Sequence, residues 1–193
     1  SHAFPPGIQH LWADALCGEA SGYNAQWTSL SAGRNESLAF HSLFSPAANL
    51  RLLISGGDVL RGVYVDHLLE QAEVYNTYGP SKTTVCASYY RCNDSSVLED
   101  GTYSIGHPVK GTSIRILDTQ GKELPTGEIC IYGGGVFLGY IGGHTEENRA
   151  FEKLSDGSVM YRSGDLGYIL PDGNIAFLHR KDSQIMIYGK RVE

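Results

Sequence analysis

The spacing of apolar positions changes character at about residue 100. Upstream, residues 50–55 (LRLLIS) form an apolar run that ends on Gly56-Gly57 and predicts a buried strand. Residues 59–71 read as an amphipathic helix, and residues 74–78 as the next strand, stopped by Gly79-Pro80. Strand, helix and strand at this spacing imply a parallel sheet with a right-handed crossover. Ligands of such sheets collect beyond the carboxyl ends of the strands, where residues 56–58 and 78–80 fall.

Downstream the pattern alternates with period two. Residues 111–118 and 127–132 predict strands separated by turn residues Gly121 and 125–127. A short helix is expected over 145–151. Residues 161–178 read as a ribbon of strands turning at Pro171-Asp172-Gly173-Asn174, with a second turn near 188–190. Short strands with regular turns predict a small distorted β-barrel. The first 48 residues are less patterned: 7–16 has helical spacing, with Ile8, Leu11, Trp12 and Leu16 on one face, and 18–36 is rich in Gly, Ser and Asn and predicts a loop. The expected fold is a partial α/β lobe followed by a β-barrel subdomain.

Composition narrows the function. Of 193 residues, 41% are hydrophobic and 19% charged, ordinary for a globular chain. The net charge of −6, without a basic cluster, argues against a nucleic-acid partner. No apolar run reaches the roughly 18 residues that span a bilayer. Cys17, Cys86, Cys92 and Cys130 lack metal-ligand spacing and read as small buried hydrophobes in a reducing, cytoplasmic compartment. The seven histidines form no HxxxH pair, so no metal cage is expected.

Candidate chemistry sits at the turns. Asp165 lies in a Ser-Gly-Asp corner, where a carboxylate beside glycine can accept hydrogen bonds from vicinal hydroxyls. Arg180 and Asp182 form an Arg-x-Asp pair whose guanidinium can grip phosphate. Tyr78 closes a strand just before Gly-Pro, which presents its ring at a sheet edge. The plainer alternative is a surface turn capped by Asp165 and a tyrosine that only packs.

Four segments in order decide between these readings. LRLLISGGD (50–58), NTYGPSKTTVCA (76–87), GEICIYGGGVFLGY (127–140) and the run from YRSGDLGY (161–168) through HRKDSQIMIYGKRVE (179–193) resemble motifs of the adenylate-forming superfamily. The likeness is greatest to the amino-acid adenylation domains of nonribosomal peptide synthetases, and it spans about residues 50–193. It implies that residues 1–100 are the distal part of an α/β subdomain, 101–181 a β-barrel subdomain, and 182–193 a hinge and the start of a C-terminal domain.

The resemblance also implies roles. ATP and a small carboxylate, an amino acid, would give an acyl-adenylate for transfer to a carrier-protein thiol; an acyl-CoA or aryl-acid ligase is the alternative. Tyr78 would stack on adenine with Asn76 nearby, Asp165 would hold the ribose hydroxyls, Phe177 would line the site and Arg180 would touch ribose or phosphate. Gly56, Gly57, Asp58 and Gly79 would complete the nucleotide set, and Asp182 would be the hinge. Ile54, Gly56, Thr77, Val85 and Cys86 would wall the acyl pocket, whose uncharged lining favours an apolar or modestly polar side chain.

Departures from the motifs carry information too. Ser81 keeps a hydroxyl for the α-phosphate, but Lys82 stands where the resembled motif has a glutamate that helps hold Mg²⁺. An ammonium offers no oxygen to a hard cation. A decayed, non-catalytic scaffold is therefore the reading from a different class. Asp58, Leu138, Met186 and Tyr188 depart more mildly. No phosphate loop of the type STGxPKG occurs in the chain, and the catalytic lysine of the family's C-terminal domain is not found in it; it reads as an excised piece, inactive alone.

Overall fold

The computed structural model describes residues 51–83, 86–142 and 144–181, together with the backbone of strands at 26–29, 185–187 and 190–192. The expected helix at 7–16 lies outside these residues, as do Val85, Asp182, Cys17 and the tip of the turn near 188–190.

Five strands make the first sheet in chain order: β1 (Gln26–Ser29), β2 (Leu52–Gly56), β3 (Glu73–Tyr78), β4 (Ser88–Arg91) and β5 (His107–Pro108). β1, β2 and β3 run parallel, whereas β4 and β5 add antiparallel. β2 and β3 are the two strands expected from the apolar runs. β1 is a correction: it lies inside the stretch predicted as a loop. Its Gln26–Ser29 register against Leu53–Gly56 shows that pairing with an apolar neighbour, rather than its own composition, makes it a strand.

The helix expected over 59–71 shrinks to α1 (Gly62–Val65) and a 3-10 turn, Asp66–Leu68. The physical reasons are local. Gly62 and the β-branched Val63 and Val65 are weak helix formers, and no side chain caps the N-terminus. The Asp66 carboxylate accepts the backbone N–H of His67 at 2.6 Å, which competes with helix continuation. The apolar positions keep their purpose: Leu60, Val65 and Leu68 are buried with Leu53 and Val74 on one face of the sheet.

The second sheet runs β10 (Ile175–Arg180), β9 (Val159–Ile169), β7 (Thr126–Gly133), β6 (Thr112–Leu117), all antiparallel, with β8 (Phe151–Lys153) also on β9. Among the described residues it is open, with β6 and β10 as edges, and it does not close into the expected barrel. The second expected helix is also short: α2 (Thr145–Asn148) ends where the Asn148 side chain brackets Tyr140, accepting its N–H at 2.6 Å and donating to its carbonyl at 3.0 Å, and Phe151 already belongs to β8. A hairpin of β11 (Ile185–Ile187) and β12 (Lys190–Val192) follows.

The two sheets share a core. Ala87 and Ile105 pack with Ile116, Ile129, Ile131 and Ile175, with Tyr78 and Phe177 partly buried against them. Backbone bonds stitch this seam: Ile105 N–H donates to the Ile175 carbonyl at 2.9 Å and Ile175 N–H to the Gly106 carbonyl at 3.0 Å. The carboxyl end of β3 is thereby held against β9 and β10. No helix among the described residues is long and apolar enough to cross a membrane.

Candidate functional site

Side chains alternate along β3, so neighbouring residues serve different compartments. Asn76 and Tyr78 share one face, and Thr77 points to the other with Tyr75. Gly56 pairs with Thr77 in the parallel ladder, and a Cβ on Gly56 would overlap the Thr77 hydroxyl and come within 3.1 Å of the Thr77 carbonyl. Glycine is required there by close approach. Ile54, Gly56 and Thr77 therefore fall on one face, floored by Tyr75 and Tyr89. Thr77 itself is fixed, its hydroxyl donating to the Ser55 carbonyl at 2.8 Å. Cys86 lies in the loop entering β4, half-buried, and burial pushes its thiol up to about 12. Of the five expected pocket residues the structure thus groups three.

Asn76 is buried, and its amide donates to the Ser104 carbonyl at 2.9 Å. That bond ties β3 to the connection ahead of β5. Tyr78, two residues on, reaches across the seam: its hydroxyl donates to Asp165 Oδ2 at 2.6 Å. Burial, then the nearby Asp165 charge and its hydrogen bond, hold the Tyr78 hydroxyl well above its ordinary pKa, so it remains a donor.

Two irregularities aim Asp165 and Arg180 at this point. The pairing of β7 with β9 shifts between Glu128 and Cys130, so Ser163, Gly164 and Asp165 bulge out opposite Ile129. Gly164 takes a positive φ of 74°. The Ser163 hydroxyl replaces lost ladder bonds, donating to the Ile129 carbonyl at 2.7 Å and accepting the Asp165 N–H at 3.0 Å. On β10 the register shifts between Phe177 and His179, leaving Leu178 without a partner. The extra residue puts Phe177 and Arg180 on the same face as Asp165. Arg180 Nη1 then sits 2.9 Å from Asp165 Oδ1.

Asp165 is 6% exposed, and both of its oxygens meet donors, one from Tyr78 and one from Arg180. A buried carboxylate held in this way can accept further hydroxyl donors, and a guanidinium at the rim can meet an anionic group. Phe177 and Tyr78 supply aromatic surface beside it.

The remaining expected residues surround the end of the first sheet. Gly57 has φ 92° and is exposed, and the Asp58 carboxylate accepts the Val59 N–H at 2.7 Å. Gly79 precedes the 3-10 turn Ser81–Thr83, where Ser81 is exposed and Lys82 half-buried. The Lys82 ammonium lies 6.0 Å from the centre of the Tyr140 ring, and its carbonyl accepts the Phe137 N–H at 3.0 Å. Sequence reasoning overlooked Ser163 and Glu128. The signal for Ser163 was a hydroxyl two residues before the aspartate; Glu128 carried none, since alternation sets it on the face opposite the core residues Ile129 and Ile131.

Comparison with known proteins gives the family of the chain. Residues 6–141 match the family model described as AMP-binding enzyme. Over 163 residues the chain is 40% identical to bacitracin synthase 2 of Bacillus licheniformis, covering 83% of this chain and 6% of that protein. Surfactin synthase subunit 1 of Bacillus subtilis is 36% identical over 168 residues, covering 80% and 5%. Among solved structures, a nonribosomal peptide synthetase protein containing adenylation and PCP domains superposes with a TM-score of 0.70 at 30% identity, over 81% of this chain and 34% of that one. A Vibrio cholerae adenylation domain solved in complex with glycyl-adenosine-5'-phosphate gives 0.66 at 28% identity, over 74% and 28%. The chain thus spans about a third or less of the proteins it matches.

Proposed function

Because this chain belongs to the AMP-binding enzymes of the adenylate-forming superfamily, with the adenylation domains of nonribosomal peptide synthetases as its kin, we propose that it supplies the nucleotide and acyl surfaces of an amino-acid-activating ligase. The observation that carries this reading is the convergence of Tyr78, Asp165 and Arg180 from two sheets at the carboxyl end of β3.

In the proposed reaction a carboxylate oxygen of the amino acid attacks the α-phosphorus of ATP. The bond from that phosphorus to the bridging oxygen breaks, and pyrophosphate leaves with the electron pair. The Tyr78 and Phe177 rings hold adenine, Asp165 accepts the ribose hydroxyls, and Arg180 and Ser81 meet the ribose–phosphate. Their contribution is positioning and electrostatic complementarity. Ile54, Gly56 and Thr77 bound the acyl side on the opposite face of β3, with Cys86 in the loop entering β4, so Thr77 and Tyr78, adjacent in sequence, divide substrate from nucleotide. The sulfur of a carrier-domain thiol then bonds to the acyl carbon as the thiol gives up its proton. The bond from that carbon to the phosphate oxygen breaks, and AMP leaves with the electron pair. The carrier is a partner suggested by the adenylation–PCP architecture of the matched structure.

Magnesium fits poorly at the Ser81–Thr83 turn. Its side chains are the Ser81 hydroxyl, the buried Thr83 hydroxyl, which donates to the Pro80 carbonyl at 2.8 Å, and the Lys82 ammonium, which has no lone pair to give and repels a cation; no carboxylate is among them. Lys82 itself is the counter-charge for phosphate in this reading, and no step is routed through a metal. The same residue favours a second reading, a scaffold that has lost catalysis.

Pyrophosphate exchange by the full-length protein, run over amino acids and fatty acids, separates the possibilities. Exchange dependent on an amino acid supports the proposal. Exchange with fatty acids alone identifies an acyl-CoA ligase, and no exchange with any acid favours the scaffold.

A further inference from the structure

Glu128 is a carboxylate only 7% exposed that none of the roles above uses. It sits on β7 where the pairing with β9 breaks. Its Oε1 accepts the Gly164 N–H at 3.1 Å. Its Oε2 lies 3.2 Å from Arg162 Nη1 and 3.7 Å from Lys181 Nζ. One buried side chain therefore touches the residue before the Ser163-Gly164-Asp165 corner, the corner's own Gly164 and the residue that follows Arg180.

The backbone completes the clamp. Lys181 N–H donates to the Gly164 carbonyl at 2.7 Å. Gly164 thus has its N–H held by Glu128 and its carbonyl held by the strand end that Glu128 also pairs. Arg162 is fixed in turn, its guanidinium reaching the Asp118 carbonyl at 3.3 Å and the Glu152 carboxylate at 3.7 Å. A bulge forfeits ladder hydrogen bonds, so the side chains that replace them set where the corner stands. Burying a carboxylate is costly unless cations and N–H donors surround it, as they do here.

We propose that Glu128 is a positioning residue: by holding Gly164 and Lys181 together it keeps Asp165 and Arg180 at the nucleotide. It touches no ligand itself. The proposal rests on the reading of Asp165 as the ribose acceptor. It goes beyond that reading in making ribose selectivity depend on a residue of β7.

The test compares wild type, Glu128→Gln and Glu128→Leu in the full-length protein. Calorimetry measures adenosine against 2',3'-dideoxyadenosine, and hydrogen exchange reads the Gly164 amide. Wild type should prefer adenosine about tenfold, a discrimination of ~1.4 kcal/mol. Glu128→Leu should lose that preference and exchange the Gly164 amide faster, while still binding the dideoxy ligand as wild type does. Glu128→Gln keeps an oxygen for the Gly164 N–H and should retain most of the preference. Selectivity unchanged in a folded Glu128→Leu would overturn the proposal, as would equal weakening of both ligands, which marks general destabilisation. Absence of any ribose preference in wild type would instead defeat the assignment of Asp165. The Gly164 exchange rate then still decides whether Glu128 holds the corner, and an unchanged rate in Glu128→Leu overturns it.

Discussion

Asp165 and Arg180 face each other across β9 and β10 with carboxylate and guanidinium 2.9 Å apart, and the unpaired Leu178 is what aligns them. In continuous pairing from Phe177 opposite Gly167, residue 179 would stand opposite Asp165. A one-residue slip exchanges the two faces of a strand, so the bulge decides which side chain meets the carboxylate.

Replacing Asp165 tests what the carboxylate is for. Asp165→Asn keeps an acceptor for Tyr78 but removes the charge that Arg180 pairs with. In the full-length protein we expect it to weaken adenosine about tenfold, near the ~1.4 kcal/mol of one charged hydrogen bond, and to leave free adenine unchanged. Competition binding with the two ligands measures this. Equal loss for both would mark Asp165 as a structural residue.

Much of this arrangement was legible in the sequence. The apolar runs marked β2 and β3, alternation marked β6 and β7, and Pro171-Asp172-Gly173-Asn174 marked the turn between β9 and β10. Those signals are local. β1 escaped because its neighbour supplies the pairing, and the helix over 59–71 failed because Gly62, Val63 and Asp66 outweigh the apolar spacing. The open edge between β6 and β10 is a matter of closure, which strand count alone does not fix. Asp165 and Arg180 were recognisable by type, but their contact depends on two bulges. Glu128 was visible only as a letter in a motif, since its partners lie 34 or more positions downstream.

The Tyr78 hydroxyl should make stability fall at alkaline pH. Its pKa is raised in the folded state, first by burial and then by Asp165. An unfolded tyrosine ionises near about 10. The hydroxyl's contribution is therefore full below about pH 10 and is lost as pH rises toward the raised folded value. Tyr78→Phe should cost about 1–2 kcal/mol at neutral pH and lack this alkaline loss. Urea midpoints of the two proteins should stay apart up to about pH 10 and converge above it; a constant difference across that range would show that the hydroxyl's pKa is not raised on folding.

Crowding at Gly56 predicts a coupled pair. Gly56→Ala should destabilise by about 1–3 kcal/mol, as overpacking usually does, because the new methyl meets Thr77. Thr77→Ala alone should also cost stability through its lost bond to the Ser55 carbonyl. Together they should cost less than the sum, since the second change removes the atom that the first one strikes. Denaturation midpoints of the four proteins give the coupling. Strict additivity would mean that β2 moves away from β3 to accept the methyl, and that the acyl face is more pliable than its packing implies.

Lys82 should make nucleotide binding insensitive to magnesium. A glutamate at this turn would give a hard cation an oxygen, whereas the ammonium gives none and repels the ion at short range. A phosphate can instead pair with Lys82 directly, beside the Ser81 hydroxyl in the same turn. AMP affinity should then fall as salt rises, because the half-buried ammonium is only partly shielded from counter-ions. Adding millimolar Mg²⁺ should change it by less than about twofold, under ~0.4 kcal/mol. In Lys82→Glu the pattern should invert: weak binding without the metal, and a gain of about tenfold when Mg²⁺ is supplied. Calorimetric titration of AMP into both full-length proteins, with and without Mg²⁺, reads all four affinities. A tenfold magnesium enhancement in the wild type would show that another carboxylate has taken the metal, and would leave Lys82 to its contact with Tyr140.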